Sequence, residues 1–204
     1  MTLLDIPPSN FLPEAIRQLD YSWFSKINGT WHTSFLDNFL PYIREPFVWM
    51  PLYFFLILFV IINFKKNGTL WVLFWLANTG LSDFVSSNLI KGNFPRLRPC
   101  RDPFIADTVR FIVDNCPYSS SFTSSHAANH FAAAMFIFTT LKKVVSYQFA
   151  WFFAWAFCIS YAQVYVGVHF PFDVFCGAIV GIIVGYFPAT IFNKKIGLLP
   201  SLKN

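Results

Sequence analysis

Residues 46–64 read PFVWMPLYFFLILFVIINF, nineteen residues without a charge. A helix needs about 20 mostly apolar residues to cross a bilayer, and this run meets that length. Four more runs resemble it. Leu70 to Ile90 is broken by one acid, Asp83, and Ala127 to Leu141 is uncharged and extends back to Ser124. Ser146 to Val168 and Phe172 to Phe192 follow, the last holding only Asp173. Over the 204 residues 55% are hydrophobic and 12% charged, and mean hydropathy is +0.50. Soluble domains average about 25% charged residues. The expectation is an all-α integral membrane protein with about five transmembrane helices.

Ahead of these spans, Leu12, Ala15, Ile16, Leu19, Trp23 and Ile27 recur at helical spacing, while Glu14, Arg17, Gln18 and Ser25 fall elsewhere on the wheel. This reads as an amphipathic helix lying in the membrane interface, with a second short one at 35–43. The other reading is a sixth, broken span within 11–43. The start, MTLLDIPPSN, has an acid, two prolines and no basic region, unlike a secretory signal. No linker or repeat divides the chain. One membrane-embedded domain covers 1–204: interfacial helices over 1–45, the bundle over 46–192, and a loop at 91–125.

The formal net charge of +5 is spread in pairs between apolar runs, which argues against nucleic acid as a partner. Threading the spans puts Lys65, Lys66, Lys142, Lys143, Lys194, Lys195 and Lys203 on one side with no acid. The other eight Lys and Arg share the opposite side with nine acids, Asp83 being counted as intramembrane. The positive-inside rule makes the all-lysine side cytoplasmic. In a bacterium the chain would sit in the inner membrane, with the loop 91–125 and the turn 168–172 facing the periplasm or exterior.

Three clusters share that outer side: KGNFPRLRP with Lys91, Arg96 and Arg98; TSSH at 123–126; and AQVYVGVHFPFD around His169 and Asp173. Lys91 and Arg98 are cations suited to phosphate oxygens. TSSH opening a helix offers free N–H groups, hydroxyls and the positive end of a dipole, an anion cradle with His126 beside it. An acid four residues after a histidine can accept from one imidazole nitrogen and leave the other as a nucleophile. Taken alone, the basic cluster reads equally as a site for lipid headgroups.

Together the clusters resemble the signature of the type 2 phosphatidic acid phosphatase family, which shares its core with vanadium haloperoxidases: K-x6-R-P, P-S-G-H and S-R-x5-H-x3-D. Lys91, Arg98 and Pro99 meet the first in full. In the second, Thr123 and Ser125 replace Pro and Gly. In the third, His169 and Asp173 keep their spacing, while Ala162 and Gln163 replace Ser and Arg. The resemblance implies a metal-independent lipid phosphatase without a cofactor. His169 would attack phosphorus and Asp173 would orient it. His126 would protonate the leaving group and then activate water. Lys91, Arg98, Ser124, the backbone at Ser125, and Gln163 in the arginine's place would surround the phosphate. Glutamine carries no charge, so Arg96 or Arg101 would supply the missing cation, or the substrate would need less of it, or activity would be impaired.

Suitable substrates carry a phosphate at the outer headgroup level: polyprenyl pyrophosphate, phosphatidic acid, phosphatidylglycerol phosphate or lipid A. The competing function is a non-catalytic phospholipid-binding or transport protein on the same scaffold. His130 reads as a supporting or core group, and Asp83 as part of a network with Thr79, Ser82 and Ser86 that supports Lys91. Cys158 and Cys176 read as free core thiols. Cys100 and Cys116 fall in the outer loop, where an oxidising exterior permits a bridge; two unpaired thiols are the other outcome. The segment between them has no evident means of burying itself.

Overall fold

Lys65 adopts φ 53° and ψ −124° in the middle of the longest helix, α3 (Met50–Asp83). Its consequence is a reversal of the chain. The rings of Tyr53 and Trp75 lie 5.8 Å apart, although 22 residues of straight helix would separate them by about 33 Å. Gly68 sits where any Cβ would overlap the Val60 carbonyl, so the two arms touch just beyond the bend. Pro46–Asn93 and Pro171–Lys195 are the segments long and apolar enough to cross a membrane among the described residues, and the first is folded in two.

The computed structural model describes residues 11–142 and 144–198. The expectations for the first ten residues, Lys143 and Lys203 lie outside them. The described chain is helical, and no strand occurs among the described residues. Two short helices, α1 (Glu14–Phe24) and α2 (Ser34–Ile43), precede α3. A single turn, α4 (Lys91–Asn93), ends its second arm. Then come the loop 94–124, α5 (Ser125–Leu141), α6 (Trp151–Tyr165) and α7 (Pro171–Lys195).

The central pair is α5 against α7. Gly177, Gly181 and Gly185 recur every fourth residue on α7 and face Ser124, Ala128 and Ala132 of α5. A Cβ at Gly177 would lie 2.6 Å from the Ser124 carbonyl, and at Gly181 and Gly185 it would overlap the carbonyls of Ala128 and Ala132. Small residues on both sides let the backbones approach closely, which is how helices associate when surrounding lipid is as apolar as they are. The contact also sets register: the Ser124 N–H donates to the Asp173 carbonyl at 3.1 Å.

At the far end, Asn67 Nδ2 donates to the Gly197 carbonyl and Asn193 Nδ2 to the Thr139 carbonyl. The bend at Lys65 and the C-terminal ends of α5 and α7 therefore lie together. Lys65, Lys66, Lys142, Lys194 and Lys195 gather at one end of the bundle and the histidine turn lies at the other. Many large apolar side chains face outward, among them Phe47, Phe54, Phe55, Leu73, Leu76, Ile183 and Phe187.

On α1 the stripe of Ile16, Leu19 and Trp23 is exposed, and the inner face is Asp20 and Phe24, with Tyr21 packed beside them. Two expectations change. The loop between Cys100 and Cys116 is anchored after all: Ile105, Val109, Phe111, Ile112 and Val113 pack against the buried cluster that contains Phe24, Ile27 and Tyr165. Asn28 joins it by accepting from the Arg110 N–H and donating to the Arg110 and Tyr165 carbonyls. Cys100 and Cys116 are bonded, their Cα atoms 6.2 Å apart. Cys158 and Cys176 are free, but Cys158 is exposed on the outer surface of α6 and Cys176 is half-buried, so neither is a core thiol.

Candidate active site

α6 ends at Tyr165, and the turn that follows is fixed by its own backbone. The Gln163 carbonyl accepts from both the Val168 and His169 N–H groups at 3.2 Å. Gly167 takes φ +87°, a conformation that glycine adopts at no steric cost. Pro171 then opens α7, and Asp173 Oδ2 accepts from the Phe170 N–H at 3.0 Å, capping the helix. His169 is thereby presented from a rigid corner, 2% exposed.

Its two nitrogens meet different partners. Arg98 Nη1 lies 3.1 Å from Nε2. Guanidinium has no lone pair, so Nε2 accepts and the ring proton resides on Nδ1. Nδ1 faces Ser121 Oγ at 3.4 Å, and Ser121 donates to Asp173 Oδ2 at 2.5 Å. The direct Asp173 to Nδ1 separation is 3.7 Å, too long for a hydrogen bond. The expected His169–Asp173 bond is therefore replaced by a relay through the Ser121 hydroxyl. Sequence spacing missed Ser121 because it lies 48 residues from His169; the signal was the run of hydroxyl residues ahead of TSSH. Burial and the Arg98 charge hold the His169 imidazole well below its ordinary value near 6.5, so it is neutral at pH 7.

Arg98 is held on every side. Nε and Nη2 donate to the carbonyl and hydroxyl of Ser119, and Nη1 donates to the Val168 carbonyl. Burial lowers it to about 10, still charged at neutral pH. Arg96 does something else. Nη1 donates to Asp173 Oδ1 and Nη2 to Asp20 Oδ2, each at 2.6 Å, and its guanidinium stacks 4.0 Å above the Phe170 ring. Burial works against its charge, but the carboxylates of Asp173 and Asp20 outweigh it and raise Arg96 above its ordinary value. Arg101 donates to the Cys116 carbonyl and lies over the Tyr118 ring. Neither arginine is free to replace the cation that Gln163 lacks. Gln163 itself is buried, and its Nε2 has no partner among the described residues.

Ser124 caps α5, its Oγ accepting from the Ala127 N–H at 3.4 Å. Lys91 stands half-buried on α4. The Ser125 hydroxyl turns away from the cradle to Ser87 at 2.8 Å, and Ser87 donates to Asp83 Oδ1 at 3.1 Å. Asp83 also accepts from Asn129; its hydrogen bonds go to Ser87 and Asn129, and its charge acts on Lys91 without a direct contact. His126 lines a cavity of about 420 Å³ between the arms of α3 and helices α5 and α6, shared with Asp83, Asn129, His130, Trp75 and Trp155. His130 packs on Trp155 and meets the His126 carbonyl through Nδ1 at 2.8 Å. Among the described residues His126 and His169 share no hydrogen bond; the link between them is the Ser124–Asp173 backbone contact. Among the described residues no three His, Cys, Asp or Glu side chains are grouped to hold a metal ion.

Comparison with known proteins agrees with this layout. The PAP2 superfamily model matches residues 68–196, from the second arm of α3 to the end of α7. The chain is 29% identical over 183 residues to the lipid A 4'-phosphatase of Porphyromonas gingivalis, covering 88% of this chain and 75% of that one. It is 28% identical over 196 residues to the lipid A 4'-phosphatase of Bacteroides thetaiotaomicron, 92% and 83% of the two chains. The crystal structure of Aquifex aeolicus LpxE superposes with a TM-score of 0.62 at 28% identity, over 84% of this chain and 95% of that one. The transmembrane PAP2-type phosphatidylglycerolphosphate phosphatase of Bacillus subtilis superposes with a TM-score of 0.68 at 21% identity, over 94% and 90%, a likeness of fold. The family match spans more than half of the chain and all three clusters, and on it the chain belongs to the PAP2 superfamily.

Proposed function

We propose that this is a membrane lipid phosphatase that removes a phosphate monoester from a lipid through a phosphohistidine at His169. The observation that carries the reading is the set of partners around His169: Nε2 lies 3.1 Å from Arg98 Nη1, and Nδ1 lies 3.4 Å from Ser121 Oγ, which donates to Asp173. Nε2 gives up the hydrogen bond from Arg98 Nη1, which turns to the phosphate, and attacks phosphorus as the bond to the lipid oxygen breaks. His126, taking up the proton that the lipid phosphate monoanion brings into the site, gives it to the departing alkoxide. Neutral His126 then takes a proton from water, the hydroxide attacks phosphorus, the P–N bond breaks, and phosphate leaves with His169 restored. Arg98, Lys91, the unpartnered Gln163 amide and the N–H groups opening α5 surround the developing charge.

The five spans are the two arms of α3 and helices α5, α6 and α7, with α1 and α2 in the interface. Helix α1, at 11 residues, is about 16 Å long, short of the roughly 30 Å hydrocarbon core. The lysine end is cytoplasmic and the site faces the periplasm or exterior. Because relatives at 28–29% identity are named lipid A 4'-phosphatases, lipid A is the first substrate to try, ahead of phosphatidic acid, phosphatidylglycerol phosphate and polyprenyl pyrophosphate.

The test is phosphate release by the purified protein from these four lipids, with EDTA present throughout. Release from at least one lipid is expected. No release from any of them, or release only after magnesium is restored, contradicts the reading.

A further inference from the structure

The family motifs do not contain Asp20, yet it is built into the site. It lies on the inner face of α1, and its side chain is 2% exposed. Oδ2 accepts from Arg96 Nη2 at 2.6 Å and Oδ1 from the Phe172 N–H at 2.8 Å. Arg96, with a fully buried side chain, uses its other terminal nitrogen on Asp173 Oδ1. Asp173 has no freedom left: Oδ1 is taken by Arg96, and Oδ2 by Ser121 and the Phe170 N–H. The line runs from Asp20 through Arg96 and Asp173 to Ser121 and His169 Nδ1.

We propose that Asp20 is a positioning residue: from the interfacial helix it clamps Arg96 against Asp173, and so fixes the Ser121–His169 relay in the geometry that aims Nε2 at phosphorus. Buried charge determines why an acid stands there. Arg96 carries one positive charge among walls that exclude water, and a single carboxylate partner would leave Nη2 unpaired. An unpaired buried donor is costly, and Arg96 relieves that cost by turning. Turning Arg96 pulls on Asp173, the shared member of both contacts. The second bond of Asp20, to Phe172 N–H, locks the carboxylate to the residue beside Asp173. Asp20 thus reads the position of α7 and transmits it to Arg96. It touches neither phosphate nor His169.

This inference rests on His169 being the nucleophile, and the experiment separates the two. Wild type, His169→Ala, Asp20→Asn, Asp20→Glu, Asp173→Asn and the Asp20→Asn/Asp173→Asn double variant are purified. Each is assayed for kcat and KM on a lipid phosphate that the wild type hydrolyses, with thermal unfolding measured in parallel. Asp20→Asn keeps the volume and loses the charge. It is expected to lower kcat about 10- to 100-fold, the range that misplacing a reacting group by a fraction of an ångström to 1 Å produces, with KM within about twofold of wild type. In the Asp173→Asn background the same change is expected to lower kcat by less than about threefold, because the group it positions is already gone. Asp20→Glu keeps the charge and is expected to lose less kcat than Asp20→Asn. It replaces Asn in the cycle should the Asn variant not fold.

Full turnover in Asp20→Asn and Asp20→Glu overturns the inference while leaving the nucleophile assignment intact. An equal fold-loss with and without Asp173 also overturns it, since a merely structural role adds independently. Turnover that survives in His169→Ala overturns both readings.

Discussion

His169, Ser121 and Asp20 are each held by a few hydrogen bonds. Ser121 is the acceptor for Nδ1–H and the donor to Asp173. Ser121→Ala removes both functions and leaves Asp173 too far to replace them, at 3.7 Å. Its kcat is expected to fall about 10- to 100-fold, with a stability loss of about 1–3 kcal/mol from the buried groups left unpaired; wild-type kcat would show that the hydroxyl is a bystander. The pH profile follows from two neighbours. Burial and Arg98 hold His169 well below 6.5, so lowering the pH from 7 to 6 does not protonate it. Burial raises Asp20 to about 6 against the pull of Arg96, with the charge of Asp173 acting in the same direction as burial. Its ionised form holds Arg96, so activity is present above about 6 and is lost as the pH falls through it. The acid limb of kcat is expected near pH 6 in the wild type and absent from the residual rate of Asp20→Asn; a limb that persists unshifted in that variant assigns it elsewhere.

Among the elements, α5 and α7 carry the site between them. Their closest approach is at Gly181, where any side chain meets the Ala128 backbone. Gly181→Leu forces the helices apart; overpacking of this kind costs about 1–3 kcal/mol, and with backbone on the other side the upper end is expected. Thermal unfolding in detergent measures it, and an unchanged midpoint would show that the pair is not packed this way. The loop 94–124 is the second element, closed at its neck by Cys100 and Cys116. In an oxidised sample a non-reduced digest is expected to yield a joined pair of peptides, and reduction to lower stability by about 3 kcal/mol for a loop of roughly 15 residues. Alkylation of both thiols without reduction would contradict the pairing.

For the whole molecule, much of the layout is legible in the sequence because membranes impose length. The uncharged runs mark the helices of the bundle, and lysine pairs mark the ends that the structure gathers together. The spacing of Lys91, Arg98, His126, His169 and Asp173 suffices for the family resemblance. What escapes is what only the fold brings into contact. Asp20 reads as one more polar residue on an amphipathic helix until Arg96, 76 positions away, folds onto it. The exposed stripe of Ile16, Leu19 and Trp23 hid the second face of α1, where Asp20 is buried beside Phe24. Ser125 satisfies a motif position, yet its hydroxyl belongs to Ser87. The fold-back at Lys65 places an ordinary residue in a left-handed conformation that no propensity favours.

The central claim is that the lipid's phosphoryl group passes through His169. Wild-type protein mixed with a lipid whose phosphate is radiolabelled, quenched in base within a turnover and mapped by peptide, tests it directly. Label is expected on the peptide containing His169, with none in His169→Ala and no phosphate release by that variant. Label on a different residue, or undiminished release by His169→Ala, would contradict it.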